Sequence, residues 1–199
     1  MHERRVHVLS RHLADLTPQG ARVLDVGCGD GRIDALIRER RPDLEISGMD
    51  IGVRDDAQIP VQEFDGLSIP LDDRSVDVVM LVDVLHHAEE PHTLLAEAER
   101  VAGRAIVLKD VTPLGPFSDA TLRFMDWVGN ARHGVPLPYA FWSQAQWRSA
   151  FAELGLSVEE TRRRIGLYPW PANLLFEKRM HFILRLVPRR TGARPRERP

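Results

Sequence analysis

The stretch Val23-Leu24-Asp25-Val26-Gly27-Cys28-Gly29-Asp30-Gly31 constrains the fold more than any other part of the chain. A short, mostly apolar run from Ala21 to Val26 leads into three alternating glycines, after which Ile33, Leu36 and Ile37 take up helical spacing that stops near Pro42. That order is strand, tight turn, helix: the opening unit of an α/β sheet whose ligands bind outside the carboxyl ends of its strands. Glycine lets the backbone turn sharply and come close to a ligand with no Cβ in the way. The dinucleotide fingerprint places its third glycine at position 32, where this chain has Arg32. The spacing G-x-G-x-G therefore favours a cofactor without a pyrophosphate.

The rest of the chain repeats the alternation. Val6, Leu9, Leu13 and Leu16 predict an N-terminal helix ended by Pro18 and Gly20, and Leu94, Leu95, Ala98 and Val101 predict another. Strands are expected at Leu44–Ile51, Ile59–Phe64, Val76–Val82 and Ala105–Val111, with a final pair at Leu156–Glu160 and Lys178–Leu186. The expected fold is α/β: a Rossmann-like, mostly parallel sheet with helices on both faces, an antiparallel final strand and a helical, aromatic lid insertion. Only seven residues, Gly52 to Gln58, join the second and third strands, too few for a crossover helix. Residues 1–186 read as one domain, with 20–111 as a cofactor-binding half. Residues 112–151, which hold eight of the 13 aromatic side chains, read as an acceptor lid.

Charge and composition narrow the partners. Residues 187–199 carry five arginines against Glu197 and read as a basic, disordered tail, which leaves the remainder mildly acidic and a poor nucleic-acid surface. The longest apolar run, Val78 to Leu85, is interrupted by Asp83 and is far short of the roughly 20 residues a spanning helix needs, so no integral membrane association is expected. Cys28 is the only cysteine and cannot form an internal disulfide, and the N-terminus lacks the apolar core of a secretion signal. A cytoplasmic location follows as the expectation. The oligomeric state is left open.

Acids recur where the strands end. Asp50 closes the second strand, where a carboxylate accepts hydrogen bonds from both hydroxyls of a ribose. Asp65 follows the third strand, placed to accept from an adenine amino group while Gly66 meets the ring edge, and Asp77 opens the fourth. With these residues in hand, Val23–Gly31, Asp50, the run from Asp65 to Val79 and Val84-Leu85-His86-His87 resemble a class I S-adenosylmethionine-dependent methyltransferase of the type 11 sort, over about residues 20–110. The resemblance implies S-adenosylmethionine as cofactor. It puts Asp25 and the turn Gly27, Cys28, Gly29, Gly31 on the methionine end, Asp50 on the ribose, Asp65 and Gly66 on the adenine, and Leu81 and Val82 on the floor, with Ile51 a further cofactor contact. The short connection after Asp50 departs from the family's usual helix.

A sulfonium methyl is already a strong electrophile, so the protein's task is alignment and exclusion of water, with a base near the acceptor. His86 and His87, at the start of a helix after the fourth strand, supply imidazole there, and only one of two consecutive residues can face inward. His87 occupies the family's recurrent histidine position. Alternation along the fifth strand sends one of Lys109 and Asp110 to the crevice, Asp110 being the expected acceptor contact, with Asn130 and His133 as further contacts from the lid. Cys28 meets a need for a small side chain, and no metal site is expected. The fourth strand's end reads Leu81-Val82-Asp83-Val84, without the Asn-Pro-Pro-aromatic signature of nucleobase nitrogen methylation. The expected acceptor is a small, partly apolar or aromatic molecule. A nicotinamide-dependent oxidoreductase and a noncatalytic S-adenosylmethionine-binding regulator are the alternatives.

Overall fold

The computed structural model describes residues 2–130, 140–177 and 180–189. In chain order the elements are α1 (His2–Leu16), β1 (Arg22–Val26), α2 (Arg32–Arg40), β2 (Glu45–Asp50), β3 (Val61–Glu63), β4 (Val76–Val82), α3 (Pro91–Val101), β5 (Ala102–Val111), α4 (Ser118–Asn130), α5 (Gln144–Glu153), β6 (Leu156–Arg162), α6 (Asn173–Phe176) and β7 (His181–Pro188). The seven strands form one sheet in the order β3-β2-β1-β4-β5-β7-β6. Pairing is parallel from β3 across to β5, and β7 runs antiparallel to both β5 and β6. The direction of chain progression reverses between β1 and β4, and a crevice opens there beyond their carboxyl ends.

The strands read as near-continuous apolar runs because both sheet faces are covered. Alternate residues divide between two cores. Val79, Leu81, Ile106 and Leu108 face α3 and α5, meeting Leu94, Leu95, Trp147 and Phe151. Val78, Met80, Ala105 and Val107 face the other way, towards Leu9, Leu13 and Leu16 of α1 and Ile37 of α2. Among the described residues, no helix is long and apolar enough to cross a membrane.

Four expectations are corrected. The third strand is three residues long, because Ile59 turns aside to cover Gly31 and Pro60 contributes only its carbonyl to the Gly48 N–H. Helix α5, inside the span read as lid, is a sheet-covering helix: Ser143 caps it with a reciprocal Gln146 bond, and Trp147 and Phe151 are buried in the core. Val187 and Pro188, read as the start of the tail, pair with Ser157 and Leu156 and close β7; residues 190–199 lie outside the described chain. His86 and His87 sit on a 3₁₀ turn, Leu85–His87, and not on the helix itself. Ala88 is extended after it, and α3 begins afresh with Pro91 in its first turn, where the missing N–H costs nothing.

Candidate functional site

The glycine turn is held from below and open above. As the chain leaves β1, the N–H groups of Gly27 and Cys28 both donate to the Met49 carbonyl, at 2.7 and 3.3 Å. Gly27 and Gly31 lie at φ +77° and +67°, and a Cβ on either would stand 2.5 Å from a neighbouring side-chain carbon, of Val84 and Ile59 respectively. Those two glycines are demanded by packing. A Cβ on Gly29 would meet only the Arg54 guanidinium, at 3.7 Å, so this is the place where a ligand can approach bare backbone. Gly48 of β2, which sequence reading passed over, leaves the space that the Cys28 side chain fills. Burial and the neighbouring Asp25, Asp34 and Asp50 push the Cys28 thiol up, so it stays protonated at neutral pH and is no nucleophile.

Acids stand at the neighbouring strand ends and beneath the turn. Asp50, at the tip of β2, accepts the Gly29 N–H at 2.7 Å and so ties the turn to the position beside it. Asp65 accepts the N–H groups of Leu67 and Ser68 on one oxygen, at 2.8 and 2.7 Å, and these bonds hold its carboxyl below the usual range. Ile51 is 58% exposed and lies against Gly66, an aliphatic surface beside the two carboxylates. Asp25, at the end of β1, is 3% exposed, and its neighbour on α2, Asp34, is fully buried. Burial raises the pKa of both carboxyls, Asp34 to about 6, and the proximity of Asp34 raises Asp25 further. Nothing about Asp34 in the sequence distinguishes it from an ordinary first-turn acid except its placement three residues before the buried Ile37, on the same helix face.

Other expected positions fall elsewhere. Leu81 is fully buried in the core under the crevice, so only its backbone can meet a ligand, while Val82 is half-buried against the opposite core. Asp77 stands at the far end of the sheet, where it accepts the Arg22 N–H. His133 and the side chain of Asn130 lie outside the described residues.

The tips of β4 and β5 carry a second polar group. His86 Nδ1 and Asp110 Oδ1 are 2.6 Å apart, both residues are buried, and the same oxygen accepts the Val111 N–H. His87 is half-buried, with its ring centroid 4.1 Å from that of His86, and the Phe141 ring lies 5.6 Å from His86 on another side. Lys109, next to Asp110 on β5, points through the opposite face and is fully buried. It donates to Asp83, which also receives Arg5 of α1, and it lies 3.3 Å from His181 Nδ1. Burial alone would raise Asp83, but Arg5 and Lys109 hold it well below the usual carboxylate range. Burial pulls Lys109 down against the opposing pull of Asp83, and keeps His181 neutral. Asp83, His86 and Asp110 could each offer an atom to one metal ion. Arg5 and Lys109 already balance Asp83, however, so a dication there would bring unpaired charge into a sealed region.

Comparison with known proteins gives the family and the fold. The methyltransferase domain family matches residues 1–161. An uncharacterized methyltransferase from Mycobacterium sp. (strain JLS) is 32% identical over 127 residues, covering 59% of this chain and 50% of the relative. The 27-O-demethylrifamycin SV methyltransferase of Amycolatopsis mediterranei (strain S699) is 28% identical over 133 residues, 56% of this chain and 48% of that enzyme. The chain thus spans about half the length of the curated relatives it matches. Among solved structures, a Haloferax volcanii methyltransferase in complex with its Trm112 activator superposes with a TM-score of 0.69 at 20% identity, over 95% of this chain and 92% of that one. The [4+2]-cyclase SpnF superposes with a TM-score of 0.66 at 14% identity, over 91% and 80%. With the sheet order, the glycine turn and a family match over most of its length, the chain belongs to the methyltransferase domain family, as a class I S-adenosylmethionine-dependent member.

Proposed function

We propose that the protein transfers a methyl group from S-adenosylmethionine to a small, partly apolar or aromatic acceptor bearing a removable proton. The observation that carries this reading is the set of acids at the ends of three neighbouring strands, Asp25, Asp50 and Asp65, with Asp50 bonded to the N–H of the open Gly29. Asp50 takes the ribose hydroxyls, Asp65 and Gly66 the adenine edge, Ile51 the ring face, and Asp25 the ammonium of the amino-acid end. When bound, S-adenosylmethionine supplies an electrophilic methyl on a sulfonium and is left as the neutral thioether.

The chain's own residues align the acceptor and take its proton. Asp110 accepts from His86 Nδ1, which makes Nε2 the basic nitrogen of a neutral ring. His86 then receives the acceptor's proton as the new bond to carbon forms. Phe141 and the aromatic side chains of α4, Phe124 and Trp127, both about half exposed, give the acceptor an apolar wall and keep water from the reacting atoms. The rifamycin relative is named for an acceptor lacking a methyl on an oxygen, 27-O-demethylrifamycin SV, which supports a hydroxyl as the accepting group here.

Two measurements test the reading. Calorimetry should register S-adenosylhomocysteine binding and none for NAD; the reverse would assign the site to a nicotinamide cofactor. Asp50→Ala should weaken S-adenosylhomocysteine about 10- to 150-fold, equivalent to the ~1.5–3 kcal/mol of hydrogen bonds to a charged group. Part of that loss comes from the Gly29 N–H, which the variant leaves without its acceptor. Unchanged affinity would remove Asp50 from the ribose site. The cyclase named among the fold neighbours supports a second reading, an adenosyl-binding protein without methyl transfer. Binding without turnover on any phenol, alcohol or amine in an acceptor panel would favour it.

A further inference from the structure

The pair formed by Asp25 and Asp34 is more than an anion beneath the turn. Asp25 is 3% and Asp34 0% exposed, and the two carboxyl groups are close enough for each to shift the other's ionisation. Asp25 Oδ1 and both oxygens of Asp34 are sealed from solvent and receive no N–H or hydroxyl from elsewhere in the described chain. The nearby turn amides are committed: Gly27 and Cys28 to Met49, Gly29 to Asp50, and Gly31 to the Cys28 carbonyl. Two buried carboxylates side by side, three of their four oxygens without a donor, would be held against both desolvation and mutual repulsion. One proton between them removes the repulsion and supplies the missing donor. The groups around the pair give no relief: Asp30 of the turn and Asp50 of β2 are acidic, the Cys28 thiol is neutral, and Arg54 lies on the outer side of Gly29.

We infer that Asp34 is a positioning residue for donor binding: it shares one proton with Asp25, and seating of the ligand's ammonium beside Asp25 expels that proton. The inference rests on the donor site proposed above and adds Asp34 and a proton count to it. On binding, the O–H bond of the shared proton breaks and the proton passes to water. The pair gains one negative charge, which the ammonium neutralises while keeping its own three protons. Before binding, the same proton spares the empty crevice an uncompensated dianion.

The test uses the full chain and two ligands with a neutral sulfur, S-adenosylhomocysteine and 5′-methylthioadenosine, which share the adenosine and differ in the amino-acid end. Calorimetric titration at pH 7 in buffers of different ionisation enthalpy gives the protons released per ligand bound. Wild-type protein is expected to release about one more proton with S-adenosylhomocysteine than with methylthioadenosine, as linkage requires when one group changes state. Asp34→Asn, whose amide can donate to Asp25 and hold it ionised beforehand, is expected to lose that excess. Equal release with both ligands in the wild type, or an undiminished excess in Asp34→Asn, would overturn the inference while leaving the adenosine site standing. Should Asp34→Asn not fold, the two-ligand comparison on the wild type decides alone. Failure of both ligands to bind would overturn the donor-site reading and this inference with it.

Discussion

His86→Ala is expected to slow methyl transfer by about 10²–10⁴-fold, the span typical of a positioned base, while S-adenosylhomocysteine affinity stays nearly unchanged. Asp110 is fully buried at the end of β5, fixed by the Val111 N–H, and bonded to His86 Nδ1 at 2.6 Å, so the imidazole is oriented by a residue the sheet itself holds rigid. Asp110→Asn keeps the shape but replaces an ionised acceptor with an amide that can present a donor to Nδ1. It should therefore lose most of the same factor in kcat with little change in donor affinity. His87 is half-buried, and its ring lies tilted against that of His86. His87→Ala should cost less than His86→Ala in a single-turnover assay. The opposite order would transfer the base role to His87, where the family resemblance had placed it.

The largest loss of stability should come from Asp83→Ala, at about 3–5 kcal/mol by urea unfolding, the range for breaking a buried ion pair from one side. Lys109 is fully buried and depends on Asp83 for its counter-charge, with only a neutral imidazole, His181, on its other side. Arg5 of α1 loses the same partner. Replacing both members, Asp83→Ala with Lys109→Met, removes the orphaned ammonium and should recover much of the loss. If the single variant unfolds within about 1 kcal/mol of the wild type, the network carries little of the fold, and Lys109 sheds its proton when its partner goes.

The parts of this molecule that were legible in the chain are those where one local pattern decides the outcome. Val78–Leu81 could only be a strand covered on both faces, and glycines 27, 29 and 31 could only be a sharp turn at its neighbour's end. Asp50 and Asp65 were legible because strand ends fix where a carboxylate will stand. Burial of polar groups was not legible, since it depends on partners remote in sequence: Arg5 meets Asp83 across 78 positions, and Lys109 meets His181 across 72. Nor does aromatic content tell a lid from a core. Trp147 and Phe151 pack on the sheet at 5.7 Å centroid spacing, whereas Phe124 and Trp127 on α4 are each about half exposed. The choice between His86 and His87 turned on a 3₁₀ turn in place of a helical start, a difference set by Pro91 four and five positions later.

The place of β7 has a consequence for how the protein is made. This strand is synthesised after every other element of the sheet, yet it lies inside it, paired to β5 over Ile106–Val111 and to β6 over Leu156–Arg162. A nascent chain that has emerged only as far as β6 holds β5 with one margin bare, a row of open amides and carbonyls flanked by Ile106 and Leu108, which is an invitation to self-association. Completion of the barrier against aggregation is therefore postponed until β7 has emerged, and β6 stays unpaired until β7 slides in to fasten both neighbours at once.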